Sequence, residues 1–227
     1  CDACGFVMEN VRGLATMYQG VYLRRFLRLA ESAGYNVAYF ALNAKDFGVA
    51  QSRTRIFFIG FKKSLDVEYE IPEPTHGPLA GRSYVTIGQA LRGMPSPEDE
   101  DVCFESFSPV YWSRNRRRGW DDVSWVIPAW CRHVPLHPDS PPLEKRGGIW
   151  APTAPLSRYR RFSWFECAAL QGFPRWWSFL GGAETKYRLV GNAVPPPVAL
   201  AVAKSLKAAK LSEGGAEGSM LIKASWR

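Results

Sequence analysis

Long apolar runs are missing from this sequence. No stretch approaches the roughly 20 residues that cross a bilayer as a helix. The first residues, Cys1-Asp2-Ala3-Cys4, form neither the basic nor the apolar segment of a secretory signal. Together these absences predict a soluble, cytoplasmic protein with no membrane partner. Cysteine is sparse and irregular. The five residues Cys1, Cys4, Cys103, Cys131 and Cys167 are odd in number and share no spacing, which argues against a disulfide framework and predicts reduced thiols. Cys1-x-x-Cys4 could be half a zinc site and Cys131-x-His133-x-x-x-His137 the other half, but the second cluster lacks standard finger spacing, so no metal site is assigned.

What is present is a 227-residue chain, 46% hydrophobic, with a net charge of +8. That length suits one large domain or two small ones, and the apolar content argues against wholesale disorder. Arginine and aromatic residues together suit a polyanionic partner, because guanidinium forks pair with phosphate and rings stack on bases.

Gly5-Phe6-Val7-Met8-Glu9-Asn10-Val11 reads as a short strand. Its apolar run predicts cover on both faces, and Glu9 falls where the strand should stop. In open α/β sheets ligands bind beyond the carboxyl ends of strands, so Glu9 is a candidate acid or base. From Leu14 to Gly34 the apolar positions Met17, Tyr18, Val21, Leu23, Phe26, Leu27 and Ala30 predict one amphipathic helix. Asn36–Leu42 and Ile56–Phe61 read as further strands. Just before the latter, Arg53 and Arg55 alternate at strand period and are expected to present two guanidinium forks on one side.

Thr86 is a candidate N-cap for a short helix through Leu91. From about Val102 to Tyr159 periodicity is poor, and prolines and five tryptophans alternate with basic clusters. Arg116, Arg117, Arg118, Arg146 and Arg158 are candidates for gripping a phosphate backbone. Ser163 and Glu166 form a capping box opening a helix to Gln171. Pro195-Pro196-Pro197 then leads a helix that reaches about Lys210. The expected organisation is an α/β region at 1–80, a loop-rich recognition domain at 81–160, a returning segment at 161–210 and a flexible tail at 211–227.

Four of these stretches together resemble the DNA cytosine-5 methyltransferase family. Glu9-Asn10-Val11 is similar to its Glu-Asn-Val motif. Gln51-x-Arg53-x-Arg55 is similar to its Gln-x-Arg-x-Arg motif. Arg161-Phe162-Ser163 through Glu166-Cys167-Ala168-Ala169-Leu170-Gln171-Gly172-Phe173-Pro174 resembles the motif closing the recognition domain, and Gly191-Asn192-Ala193-Val194-Pro195-Pro196 the last motif. They follow in family order from Gly5 to about Leu206. The family's Gly-rich loop and Pro-Cys nucleophile, which precede Glu-Asn-Val, have no counterpart in these residues.

The resemblance implies the C-terminal part of a doubly wound, Rossmann-like α/β sheet carrying a small irregular target recognition domain. It implies Glu9, Arg53 and Arg55 as catalytic residues, with Glu9 at the cytosine N3 edge. Asn192 and Val194 are implied at the site of S-adenosylmethionine, shared with a partner chain, and Gln51 joins the DNA-contacting set. The implied partners are double-stranded DNA and a separate polypeptide carrying the Gly-rich loop and Pro-Cys. The implied chemistry acts on a flipped base, in the context of restriction and modification. A non-catalytic DNA-binding remnant and an RNA cytosine methyltransferase subunit are the alternatives.

Overall fold

The computed structural model describes residues 3–211. Its elements are β1 (Gly5–Val11), α1 (Gly13–Thr16), α2 (Val21–Ser32), β2 (Tyr35–Asn43), β3 (Thr54–Lys62), β4 (Val67–Glu68), α3 (Ile87–Leu91), β5 (Leu143–Arg146), β6 (Ile149–Pro152), α4 (Trp164–Leu170), α5 (Ala183–Asn192), α6 (Pro196–Ala208) and β7 (Lys210–Leu211). The class is mixed α/β, as the pattern predicts. Cys1 and the tail from Ser212 lie outside the described residues.

The chain forms two compact units. The first gathers the residues up to Asn43, Thr54–Glu73 and those from Val198 on; the second gathers Ala44–Arg53 and Pro74–Pro197.

The first unit is built on a sheet of order β1-β3-β2, with β3 antiparallel to both neighbours. One sheet face carries Phe6, Met8, Val37, Ile56 and Phe58. They pack with Ala15, Leu23, Phe26 and Ala30 from the helices. Ile56 and Phe58 are fully buried, each worth about 2 kcal/mol of apolar burial. On the other face Ala38, Phe40, Phe57 and Ile59 are buried, and Tyr69 stacks on Phe40. β1 is the open margin of that face: Val7 and Val11 are half exposed. The expectation that β1 is covered on both faces therefore fails. Phe6 and Met8 alternate with exposed neighbours, as a half-covered strand requires.

The single helix expected from Leu14 to Gly34 is broken. Tyr18 (φ 48°), Gln19 (φ 54°) and Gly20 (φ 77°) are left-handed. Arg24 Nη1 donates to Gln19 O at 2.7 Å, holding the kink. Gly20 supplies the conformation at least steric cost and starts α2 as its N-cap.

In the second unit Ile87, Leu91, Ile127, Val134, Phe162, Leu170, Tyr187 and Val190 form one core. Both predicted caps are present. Thr86 Oγ1 accepts from Gln89 N, and Ser163 Oγ accepts from Glu166 N. A second cluster, Tyr111, Leu136, Leu143 and Tyr159, lies under the β5–β6 hairpin. The hairpin turns at Gly147 (φ 56°) and Gly148 (φ 86°), which take the two positive φ angles of a tight turn.

Reduced thiols were expected throughout, but Cys103 and Cys131 form a disulfide with Cα atoms 5.7 Å apart. Cys131 therefore joins a partner that sequence spacing did not suggest. Residues 183–208 are apolar and long enough to cross a membrane on length and composition alone. The run is nevertheless two helices: Ala193 (φ −66°, ψ 149°) is extended, and Val194 and Pro195 follow it outside helix.

Candidate active site

Glu9 and Arg55 are brought together by the register of the first unit. Glu9 lies opposite Phe57, and Arg55 opposite Val11. The two are diagonal neighbours on one face, within reach of long side chains. Arg55 Nε lies 3.0 Å from Glu9 Oε1, with side chains 16% and 26% exposed. Arg55 Nη1 also donates to Thr54 O at 2.9 Å. Burial lowers the Arg55 guanidinium pKa, and the Glu9 carboxylate counteracts it. Glu9 is not the strand's last residue, since pairing runs on to Val11. The site is thus a partly exposed carboxylate paired with a guanidinium, at a half-open sheet margin.

Arg53 does not share this site. β3 begins at Thr54, so strand alternation does not extend to Arg53. Its side chain is buried in the second unit. Nη1 donates to Ile127 O at 3.0 Å, and Nη2 to Gly191 O at 2.7 Å and Ala193 O at 3.4 Å. The paired forks expected of Arg53 and Arg55 therefore have different destinations. Gln51 is also fully buried. Its Oε1 accepts from Ile127 N at 3.0 Å and its Nε2 donates to Gln171 Oε1. In this arrangement Gln51 does not present its amide to DNA, contrary to expectation. Asn192 is exposed at the end of α5 and Val194 is half-buried just beyond it.

The candidate DNA-contacting arginines divide into two groups. Arg116 donates to Tyr111 O and His133 O, and Arg117 to Ser140 O and Pro138 O. These two knit the irregular region together, because a loop-rich core leaves many carbonyls without ladder partners. Arg118 lies over the Trp125 ring at 3.7 Å. Arg146 is exposed and held by Glu144 through two hydrogen bonds. Arg158 is exposed as the last residue of a short helical turn, Leu156–Arg158.

Two further arginines organise the region. Arg161 is buried, donates to Cys103 O, Glu105 O and Arg132 O, and lies over Phe107. Arg160 makes a bidentate pair with Glu166 at 2.8 and 2.9 Å. Burial pushes the Glu166 carboxyl up, but Arg160 and the Ser163 N–H outweigh it and hold it below its usual range. His137 lies 3.6 Å from Glu166 and is nearly buried. Burial and Arg160 lower its pKa against the opposing pull of Glu166 and Asp139. The sequence shows these arginines only as a basic cluster; the bidentate geometry has no local signal.

A family model for C-5 cytosine-specific DNA methylases matches residues 4–108 and 98–208. The chain belongs to that family. It is 38% identical over 213 residues to the type II methyltransferase M.BspRI of Lysinibacillus sphaericus, covering 88% of this chain and 50% of that one. It is 37% identical over 229 residues to M.MthTI of Methanothermobacter thermautotrophicus, covering 91% and 66%. The chain thus spans about half to two thirds of the length of these relatives. Among solved structures, it matches an Escherichia coli prophage protein described as a DNA modification methyltransferase. That match has TM-score 0.63 and 21% identity, covering 90% of this chain and 69% of the other. The Entamoeba histolytica methyltransferase EhMeth matches with TM-score 0.57 and 14% identity, covering 89% and 62%. These likenesses establish the methyltransferase fold.

Proposed function

We propose that this chain forms part of a DNA (cytosine-5)-methyltransferase of the restriction-modification type, and that it contributes target recognition and the group that handles the cytosine N3 edge. The observation that carries the reading is the Glu9–Arg55 pair, on the Glu-Asn-Val and Gln-x-Arg-x-Arg segments of a family member.

The chemistry sets the requirement. C5 of cytosine is a weak nucleophile. Addition of a thiolate at C6 makes C5 enamine-like and puts negative charge on the ring at N3. Glu9, as the acid, donates a hydrogen bond or a proton to N3 and takes up that charge. Arg55 holds one carboxylate oxygen and so fixes which oxygen faces the ring. A base inside the duplex cannot reach a protein carboxylate, so the cytosine is turned out of the stack.

The nucleophilic cysteine and the Gly-rich loop lie outside these 227 residues, on a separate polypeptide or elsewhere in a longer chain. Asn192 would contribute its exposed amide, and Val194 a half-buried apolar surface, to one wall of the S-adenosylmethionine site. That pairing of polar and apolar groups fits a ligand that is part charged and part aromatic. When bound, that ligand supplies the methyl group from its sulfonium centre. Arg118, Arg146 and Arg158 are the proposed arginine contacts to duplex DNA.

Methyl transfer to duplex DNA tests the reading, with this chain combined with the Gly-rich and Pro-Cys half. Radiolabel from S-adenosylmethionine should appear at C5 of cytosine. No transfer by the combined protein would sink the assignment.

A further inference from the structure

We propose that Gln51, Arg53 and Gln171 form a buried clasp that positions the methyl-donor wall, and that Arg53 acts as a positioning residue rather than a substrate contact. The inference rests on the methyltransferase reading and deepens it.

Helix α5 ends without a glycine cap. The last carbonyls of any helix lack intrahelical partners. Here Ala193 N reaches back to Leu189 O and Val190 O. Side chains from far away in the sequence reach the neighbouring carbonyls. Gln171 Nε2 donates to Val190 O at 3.1 Å and Ala193 O at 2.8 Å. Arg53 Nη2 donates to Gly191 O and Ala193 O. A guanidinium at this end also complements the helix dipole. Gln51 ties the two donors together, bonding both Gln171 and the Ile127 N–H. Gln51 and Gln171 are fully buried, and Arg53 is 3% exposed.

The carbonyls so held, Gly191 O and Ala193 O, flank Asn192. They fix the 191–192 and 193–194 peptide planes, which precede Asn192 and Val194, and so the direction that these two side chains take. Gly191 itself packs so closely that a Cβ would collide with Pro128 O. The wall is therefore set by a buried polar network rather than by its own side chains.

The test uses the complete enzyme and two variants, Arg53→Lys and Gln171→Met. Amide hydrogen exchange at Ala193 and Val194 should accelerate about tenfold, with the helix α3 amides as unchanged internal control. The dissociation constant for S-adenosylhomocysteine should rise about tenfold while that for duplex DNA shifts less than about twofold. Unchanged exchange would overturn the clasp. Faster exchange with unaltered S-adenosylhomocysteine affinity would overturn its link to the donor wall, as would an equal loss of DNA affinity. Wild-type enzyme that binds no S-adenosylhomocysteine would instead overturn the methyltransferase reading, while the exchange result still judges the clasp.

Discussion

Glu9 and Arg55 stand on the diagonal of the β1–β3 pairing, with Arg55 Nε 3.0 Å from Glu9 Oε1. The contact follows from register. A slip of one residue would turn every β3 side chain to the other face and move Arg55 to the side packed under α2. The Glu9–Arg55 contact and the hydrophobic pattern of the sheet are therefore set by the same constraint.

Removing the guanidinium should leave Glu9 without orientation. Arg55→Ala is expected to lower the single-turnover rate of methyl transfer about 100-fold, the scale of losing one aligned electrostatic partner. Arg55→Lys should recover little of it, because a point-like ammonium on a flexible stem does not reproduce the planar guanidinium that also bonds Thr54 O. Rapid-quench kinetics on duplex DNA measures both. A wild-type rate in Arg55→Ala would remove Arg55 from the site.

Gly191 tests the packing behind the donor wall. Its missing Cβ accommodates the backbone of Pro128 and Ala129. Gly191→Ala should destabilise the protein by about 1–3 kcal/mol, since backbone cannot give way as a side-chain tip can. Urea unfolding gives the difference, and an unchanged midpoint would contradict the close approach.

Acid should destabilise the second unit in two steps. His137 and Glu166 both have folded pKa values below their ordinary 6.5 and 4.5. The unfolded chain therefore takes up these protons more readily than the folded one. Their stabilisation is complete above 6.5, declines as pH falls through the His137 range, and declines further below 4.5 as Glu166 protonates. Unfolding midpoints measured across that interval should show both declines, and His137→Gln should shrink the first to the part that His133, also lowered from 6.5, contributes. A midpoint flat down to the Glu166 range would contradict the His137 assignment.

The features legible in the sequence were the local ones. Strands β2 and β3 carry dense β-branched and aromatic runs. The caps at Thr86 and Ser163 lie three residues from their partners. Glu9 and Arg55 could be named as candidates, but not their contact, because register is a property of two strands at once. Gln51 and Arg53 looked like ligand-facing residues because their partners are remote: Arg53 reaches residues 74 and 138 positions away. A polar side chain whose partners are that distant reads as a surface group. The break between α1 and α2 was hidden in a helical apolar pattern that continues across Gly20.

The disulfide gives a prediction of a different kind. Cys103 and Cys131 are 28 residues apart. Closing a loop of that length restricts the unfolded chain by about 3.5 kcal/mol. Adding a reductant, or substituting Cys131→Ser, should lower the thermal midpoint accordingly. Identical melting with and without reductant would show that the bond is not formed in solution.

The central claim is that Glu9 handles the cytosine N3 edge. The most direct measurement is methyl transfer by Glu9→Gln in the complete enzyme, with DNA affinity determined on the same preparation. Turnover should fall by about 100-fold or more, the range for loss of a general acid, with duplex binding nearly unchanged. Undiminished turnover in Glu9→Gln would contradict that claim.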